Sequence, residues 1–381
     1  MIPYGKHTVD DDDIAAVVDV LQHQFLTQGQ QVPAFEKELA EYTGARHAIA
    51  VNSGTSALHI ACLAAGVSHG DWVWTVPISF VASANCARYC GASVDFVDID
   101  PDTRNISVSR LQEKLSVAAA QGRLPKVLIV VHFSGSSCDM LAIKRCLAEY
   151  SVVLIEDAAH GLGGSHDQSS RIGSGKYAEM TALSFHPVKS ITTAEGGAVT
   201  TNSDDLAKKL KCYAGHGISR ELSDFPPHEQ SSPWYYAQTT LGFNYRLSDL
   251  HAALGRSQLK KLDNLVAQRR QLAQRYHERL IDLPIGKPLM DVNSAWHLYT
   301  ITLNSHNRTS VFNALRERGI GVNVHYIPIH LQPYYQNLGF HAGQYPIAEN
   351  YYQRAITLPL FPGLSADKQD VVIRQLKEVL V

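Results

Sequence analysis

Between residues 45 and 201 the chain repeats one pattern, a short and almost wholly apolar run followed by a helical stretch. The runs are HAIAVN (47–52), WVWTVP (72–77), SVDFVDI (93–99), KVLIVVH (126–132), SVVLIED (151–157), EMTALSF (179–185) and GAVTT (197–201). Strands that are apolar on both faces cannot leave either face to water. Set between helical stretches such as 55–66 and 138–150, they predict an α/β fold with a mostly parallel, seven-stranded sheet covered on both sides. In such sheets ligands bind beyond the carboxyl ends of the strands. The residue just after each run is therefore where function is to be sought.

A polar, turn-rich stretch at 216–245 interrupts the pattern. Beyond it a long helical pattern runs from Leu247 to Leu280, with Ser248 as its N-cap and Pro284 as its stop. Short strands such as 297–303 and helices at 309–318 and 366–380 complete a smaller α/β domain. The expected division is a large domain over 1–250, N-terminal arm included, and the bridging helix with the small domain over 251–381. A chain of 381 residues with 45% hydrophobic content can fill both cores.

The net charge is −2 with both signs mixed along the chain, which argues against nucleic-acid binding but leaves a small anionic ligand open. No run of about 18 apolar residues occurs, so no membrane span is predicted. The N-terminus carries four consecutive aspartates and is not expected to be a secretory signal. Six cysteines, none in a C-x-x-C pair, predict free thiols in a reduced, cytoplasmic protein with no metal site.

Four strand ends carry polar or planar groups. After HAIAVN, Gly54 and Thr55 open a helix whose N–H groups and dipole suit a phosphate, or simply cap a turn. After SVVLI comes EDAAH, whose Asp157 ends the strand, a carboxylate too costly to bury without a donor or a cation; a helix cap is the plain alternative to a cofactor's positive charge. His160, three residues on, is placed near the same ligand. Phe80, after WVWTVP, either packs in the core or offers a face to a planar ring. TALSF ends near Ser184, and Lys189 follows; a desolvated amine there would have a lowered pKa and attack carbonyls. Pyridoxal phosphate uses all four features, with its phosphate, its ring, its protonated ring nitrogen and its aldehyde.

The stretches FLTQG (25–29), NSGTSAL (52–58), PISFVASAN (77–85), EDAAHGLG (156–163), SFHPVKSITTAEGGAV (184–199), GFNYRLSDLHAALG (242–255) and VHYIPIH (324–330) resemble the DegT/DnrJ/EryC1/StrS sugar aminotransferases over nearly the whole chain. The resemblance implies a fold-type I, pyridoxal-phosphate-dependent transferase acting as a homodimer with active sites shared between subunits. It implies that Lys189 bonds the cofactor aldehyde and moves the proton, that Asp157 keeps the ring nitrogen protonated and that Phe80 stacks on the ring. Gly54, Thr55 and Ser184 would hold the phosphate, with Asn244 and Arg246 reaching in from the neighbouring subunit. Tyr4, Gln24, Phe25, Leu26, Thr27, His325 and Tyr326 would line the sugar-nucleotide cleft, and the role of His160 stays open. Glutamate is the implied donor, with pyridoxamine phosphate formed between the half-reactions. TVPISFVASAN and KSITTAEGGAV are most similar to the pseudaminic-acid-pathway branch, which implies UDP-2-acetamido-2,6-dideoxy-β-L-arabino-hex-4-ulose as acceptor. A D-configured UDP- or dTDP-4-keto sugar and a non-catalytic regulator are the alternatives. The related dehydratases carry histidine where this chain has Lys189.

Overall fold

The computed structural model describes residues 1–380. All seven apolar runs become strands of one sheet: β1 (His47–Val51), β2 (Trp72–Thr75), β3 (Ser93–Phe96), β4 (Val127–Val131), β5 (Val153–Asp157), β8 (Met180–Ser184) and β9 (Gly197–Thr201). A small hairpin, β6 (Ser165–Asp167) with β7 (Ser170–Arg171), lies between β5 and β8 in the chain. The strand order is β1-β9-β8-β5-β4-β2-β3. From β3 through β2, β4 and β5 to β8 the pairing is parallel, and β9 runs antiparallel to both of its neighbours. Every residue of β4, β8 and β9 is buried, as continuous apolar strands require.

Two layers cover the sheet. One core cluster includes α3 (Gly54–Ala64) and α4 (Ala82–Tyr89); Phe35 and Leu39 of α2 (Gln31–Thr43) belong to another, with Leu183, Phe185 and Leu262. A separate core belongs to the small domain, built on the antiparallel strands β10 (Ile285–Gly286), β11 (Tyr299–Leu303) and β12 (Ala355–Leu358). The N-terminal arm reaches that domain: Ile2 bonds main chain at Gly319 and Gly321, and Tyr4 O accepts from Leu360 N–H.

The long helical pattern is two helices, α8 (Asp249–Leu259), capped by Ser248 as expected, and α9 (Leu262–Arg279). The ladder slips at Lys260–Lys261, where Lys261 N–H bonds Gln258 O, and Lys261 Nζ bonds Asp13 at 3.0 Å. The break lets α9 serve two cores. Leu262, Leu265 and Val266 pack on the large domain, and Ala273 and Tyr276 on the small one.

The segment carrying Gln24, Phe25, Leu26 and Thr27 follows α1 (Asp11–His23) and lacks regular structure. It is pinned by the fully buried Asp249, whose carboxylate accepts from Gly29 N–H (2.8 Å), Gln31 N–H (2.7 Å) and Val32 N–H (3.3 Å). Gln30, the N-cap of α2, makes no side-chain cap, so α2 takes its cap from α8. Asp249→Asn turns one accepting oxygen into a donor facing N–H groups. It should cost about 1–3 kcal/mol of stability, read as a lower urea midpoint at unchanged slope; an unchanged midpoint would show that the cap is dispensable.

Candidate active site

The parallel strands deliver their carboxyl ends to one edge. There a cavity of about 530 Å³ opens, within the range of small-ligand sites. Tyr4, Gly54, Thr55, Phe80, Asp157, His160, Ser184, Lys189, His325 and Tyr326 line it together. Gln24, Phe25, Leu26, Thr27, Asn244 and Arg246 do not line it within one chain. Phe25, Leu26, Asn244 and Arg246 are solvent-exposed. The main chain of Asn244 nevertheless runs beside the phosphate turn, because Asn52 N–H bonds Tyr245 O and Arg246 pairs with Val51.

The turn into α3 forms an anion cradle. Ser53 caps the helix through Ser56 N–H, while the N–H groups of Gly54 and Thr55 make no main-chain bond among the described residues. Ser184 sits so close that a Cβ on Gly54 would lie 2.9 Å from Ser184 Cβ. A Cβ on Gly197, paired with Ser184 in the next strand, would lie 2.6 Å from the Ser53 carbonyl. Both glycines are needed for the helix N-terminus to reach the sheet edge, where its free donors and the Ser184 hydroxyl suit a phosphate.

Asp157 ends β5 and is 5% exposed. Its Oδ1 accepts from Ala159 N–H (3.1 Å), and its Oδ2 accepts from Ser83 Oγ (2.6 Å). The Ser83 proton is committed to Asp157, so Ser79 Oγ, 2.6 Å away, donates to Ser83. These donors support the carboxylate, yet no ion pair closes on it among the described residues. Phe80 is 59% exposed, which removes the core-packing alternative and leaves its ring at the cavity wall.

Lys189 lies in a loop after β8 and is partly buried. Burial, resisted by the Asp157 carboxylate and reinforced by the Arg269 guanidinium, brings its amine down to about 8. Around it stand His160, His297 and His325. Burial and the neighbouring Lys189 charge push all three rings below the ordinary histidine value, His325 to about 3. His160 Nε2 bonds Tyr326 Oη at 3.0 Å, and its ring lies 4.3 Å from that of His297. The buried Nδ1 atoms of His160 and His297 have no partner among the described residues. His325 is held through Nδ1 by Thr357 Oγ1 at 2.8 Å. Sequence reasoning missed Ser83 and His297. Both lie in stretches it had marked for another reason, an aromatic-led turn and a strand.

These features fit pyridoxal phosphate: an anion cradle, a carboxylate lacking a cation, an aromatic wall and an amine of lowered basicity. Another polar group, His132, Glu156 and His166, lies apart from this lining, with ligand atoms within 4.8 Å of one another. That spacing suits a metal, but Cys138 N–H donates to His132 Nδ1 at 3.1 Å. The His132 proton must then sit on Nε2, 3.2 Å from Glu156 Oε2, and a protonated nitrogen cannot ligate.

The family model described as "DegT/DnrJ/EryC1/StrS aminotransferase family" matches residues 7–377. The spore coat polysaccharide biosynthesis protein SpsC of Bacillus subtilis is 37% identical over 388 residues, covering 100% of this chain and 97% of that protein. The UDP-4-amino-4,6-dideoxy-N-acetyl-β-L-altrosamine transaminase of Campylobacter jejuni is 36% identical, covering 94% and 92%. The putative sugar aminotransferase Spr1654 of Streptococcus pneumoniae superposes in its PMP form with TM-score 0.90 at 27% identity, covering 100% and 99% of the two chains. Its PLP form gives TM-score 0.88 at 27% identity, covering 99% and 98%.

In protein freed of cofactor, trinitrobenzenesulfonate should label Lys189 with a midpoint near pH 8, the rate rising as the amine loses its proton. Peptide mass spectrometry separates it from surface lysines, whose labelling should climb at higher pH. A Lys189 profile matching theirs would contradict a desolvated amine.

Proposed function

The chain belongs to the DegT/DnrJ/EryC1/StrS aminotransferase family, and from that membership we propose that it aminates C4 of UDP-2-acetamido-2,6-dideoxy-β-L-arabino-hex-4-ulose with L-glutamate as donor. The coarser activity is a pyridoxal-phosphate-dependent transamination of a nucleotide-linked 4-keto-6-deoxy sugar. The observation that carries the proposal is the Lys189 amine beside a carboxylate and an anion cradle at one sheet edge. The Campylobacter relative supports the finer substrate.

Bound pyridoxal phosphate supplies an electron sink and an aldehyde that exchanges amino groups. The chain supplies the rest. Gly54, Thr55 and Ser184 would hold its phosphate end, and Asp157, braced by Ser83 and Ala159, would keep a negative charge available to its ring nitrogen. With a pKa of about 8, Nζ of Lys189 can both take and return a proton near neutral pH. It takes one from the donor's α-carbon and returns one to C4 of the sugar. His160, His297 and His325 remain neutral there, so they neither protonate the donor's amine nor repel Lys189 further.

Residues 24–27, Asn244 and Arg246 stand outside the single-chain cavity; Phe25 among them is exposed, as are Leu222, Trp234, Tyr236 and Leu241 in the segment before Asn244. We infer a homodimer that covers these groups and completes each cleft with Asn244 and Arg246 of the neighbouring copy. The alternative acceptor is a D-configured UDP- or dTDP-4-keto sugar.

A panel of UDP- and dTDP-4-keto-6-deoxy sugars with glutamate tests the substrate. The β-L-arabino UDP sugar should turn over fastest, and preference for a D-configured or dTDP sugar would overturn the finer proposal. Lys189→Ala should lower turnover by about 10²–10⁴-fold or more; full turnover would remove Lys189 from the chemistry. Lys189→Ala and Asn244→Ala are each expected to be inactive alone. Refolded together they should regain activity through mixed dimers, and no regain would place Asn244 in its own subunit's site.

A further inference from the structure

We propose that Arg269 is a positioning residue for the lysine step: its guanidinium fixes the main chain at Val188 and Lys189 and ties that loop to the small domain. The proposal rests on the role assigned to Lys189. Arg269 lies in α9 just beyond the part packed on the large domain, is 1% exposed, and meets no carboxylate within ion-pair distance among the described residues. A buried guanidinium without a counter-charge is costly, and a methionine or leucine would fill the space. What the guanidinium gains is a set of main-chain carbonyls. Nη1 donates to Leu360 O (3.0 Å) and His297 O (3.3 Å), and Nη2 donates to Val188 O and Lys189 O, both at 3.4 Å.

Three of those acceptor residues, Val188, Lys189 and His297, line the cavity, and the fourth, Leu360, lies behind it and holds Tyr4 of the lining. The turn before Lys189 closes through Lys189 N–H to His186 O at 2.9 Å, which leaves the Val188 and Lys189 carbonyls without main-chain partners among the described residues. Arg269 therefore supplies the donors that set the direction from which the Lys189 side chain leaves the backbone. The His297 ring lines the same cavity, and Leu360 N–H holds Tyr4 O at 3.0 Å. One planar fork thus joins the lysine loop to both small-domain segments that face it. A lysine ammonium, a point charge on a flexible stem, cannot span four carbonyls in this way.

The same guanidinium places a positive charge near enough to the amine to act on it. Lys189 faces Asp157 from β5, which favours its charged form, and Arg269 from α9, which disfavours it. His160, His297 and His325 are held uncharged around it, so Arg269 is the cation opposing Asp157 at this amine.

Arg269→Gln and Arg269→Lys separate the two effects, with Lys189→Ala as the control on the underlying role. In holoenzyme, both Arg269 variants should exchange the amide hydrogens of residues 189–191 about 10-fold faster or more, and kcat should fall by about 10-fold or more with little change in donor KM. In cofactor-free protein, Arg269→Gln should move the Lys189 labelling midpoint upward, while Arg269→Lys, which keeps the charge, should leave it near the wild-type value. A merely structural arginine would lower the melting temperature and leave the exchange of 189–191, the labelling midpoint and kcat unchanged, and that result overturns the proposal. If Arg269→Gln does not fold, Arg269→Lys decides alone through exchange and kcat. Full activity of Lys189→Ala would instead defeat the assigned role of Lys189, an outcome distinct from failure of the Arg269 variants to respond.

Discussion

Asp157 and Lys189 enter one cavity with opposite charges, and neither closes an ion pair with a protein group among the described residues. That unclosed pair is the constraint around which the large domain is arranged. A carboxylate at 5% exposure needs donors, and it has two, from Ser83 and Ala159. An amine in the same cavity can relieve its burial by giving up its proton, and it moves in that direction, to about 8. Both groups emerge at the same edge because β5 and β8 are parallel neighbours. An antiparallel pairing there would have sent the chain after β8, and with it Lys189, to the opposite end of the sheet.

The next strand turns antiparallel at the point where a close approach is needed. Gly197 begins β9 between Ser184 of β8 and Val51 of β1. A side chain there would strike the Ser53 carbonyl, and one at Gly54 would strike Ser184. The Gly196–Gly197 pair therefore matters for packing: a Cβ on either would strike a neighbour. It lets the N-terminus of α3 descend onto the sheet edge with two donors left over. The reversal also closes the lysine loop, because Phe185 N–H bonds Gly196 O and Thr193 N–H bonds Phe185 O.

The seven strands were legible because continuous apolar runs bounded by polar residues have few other uses in a chain of this size. The meeting of Gly54, Thr55, Asp157 and Lys189 in one cavity was legible because each stands at or shortly after the end of such a run, where parallel strands gather their carboxyl ends. Phe80 was ambiguous from sequence, since an aromatic after a strand suits a core equally well; only its exposure decides for the cavity. The break at Lys260–Lys261 was not legible. The apolar period runs through it, and what marks the break is a tertiary contact from Lys261 to Asp10 and Asp13, far away in sequence. Arg269 was hidden for the opposite reason. It sits in a helix rich in charged residues, where the pattern marks an arginine as solvated, and its partners are carbonyls that carry no sequence signature.

The broken helix explains why a buried arginine is tolerated at that position. α9 is a long element that contributes to both cores, so a residue midway along it faces the seam where the lysine loop, His297 and Leu360 meet. Loop main chain at such a seam presents carbonyls without ladder partners, and an apolar side chain would leave them unpaired at a cost of about 1–3 kcal/mol each. Arginine satisfies four of them with one side chain, and the positive charge that results acts on Lys189 in the sense opposite to its carboxylate. The seam thus couples a packing problem to an electrostatic one: the group that satisfies the backbone also opposes Asp157 in setting the basicity of the amine.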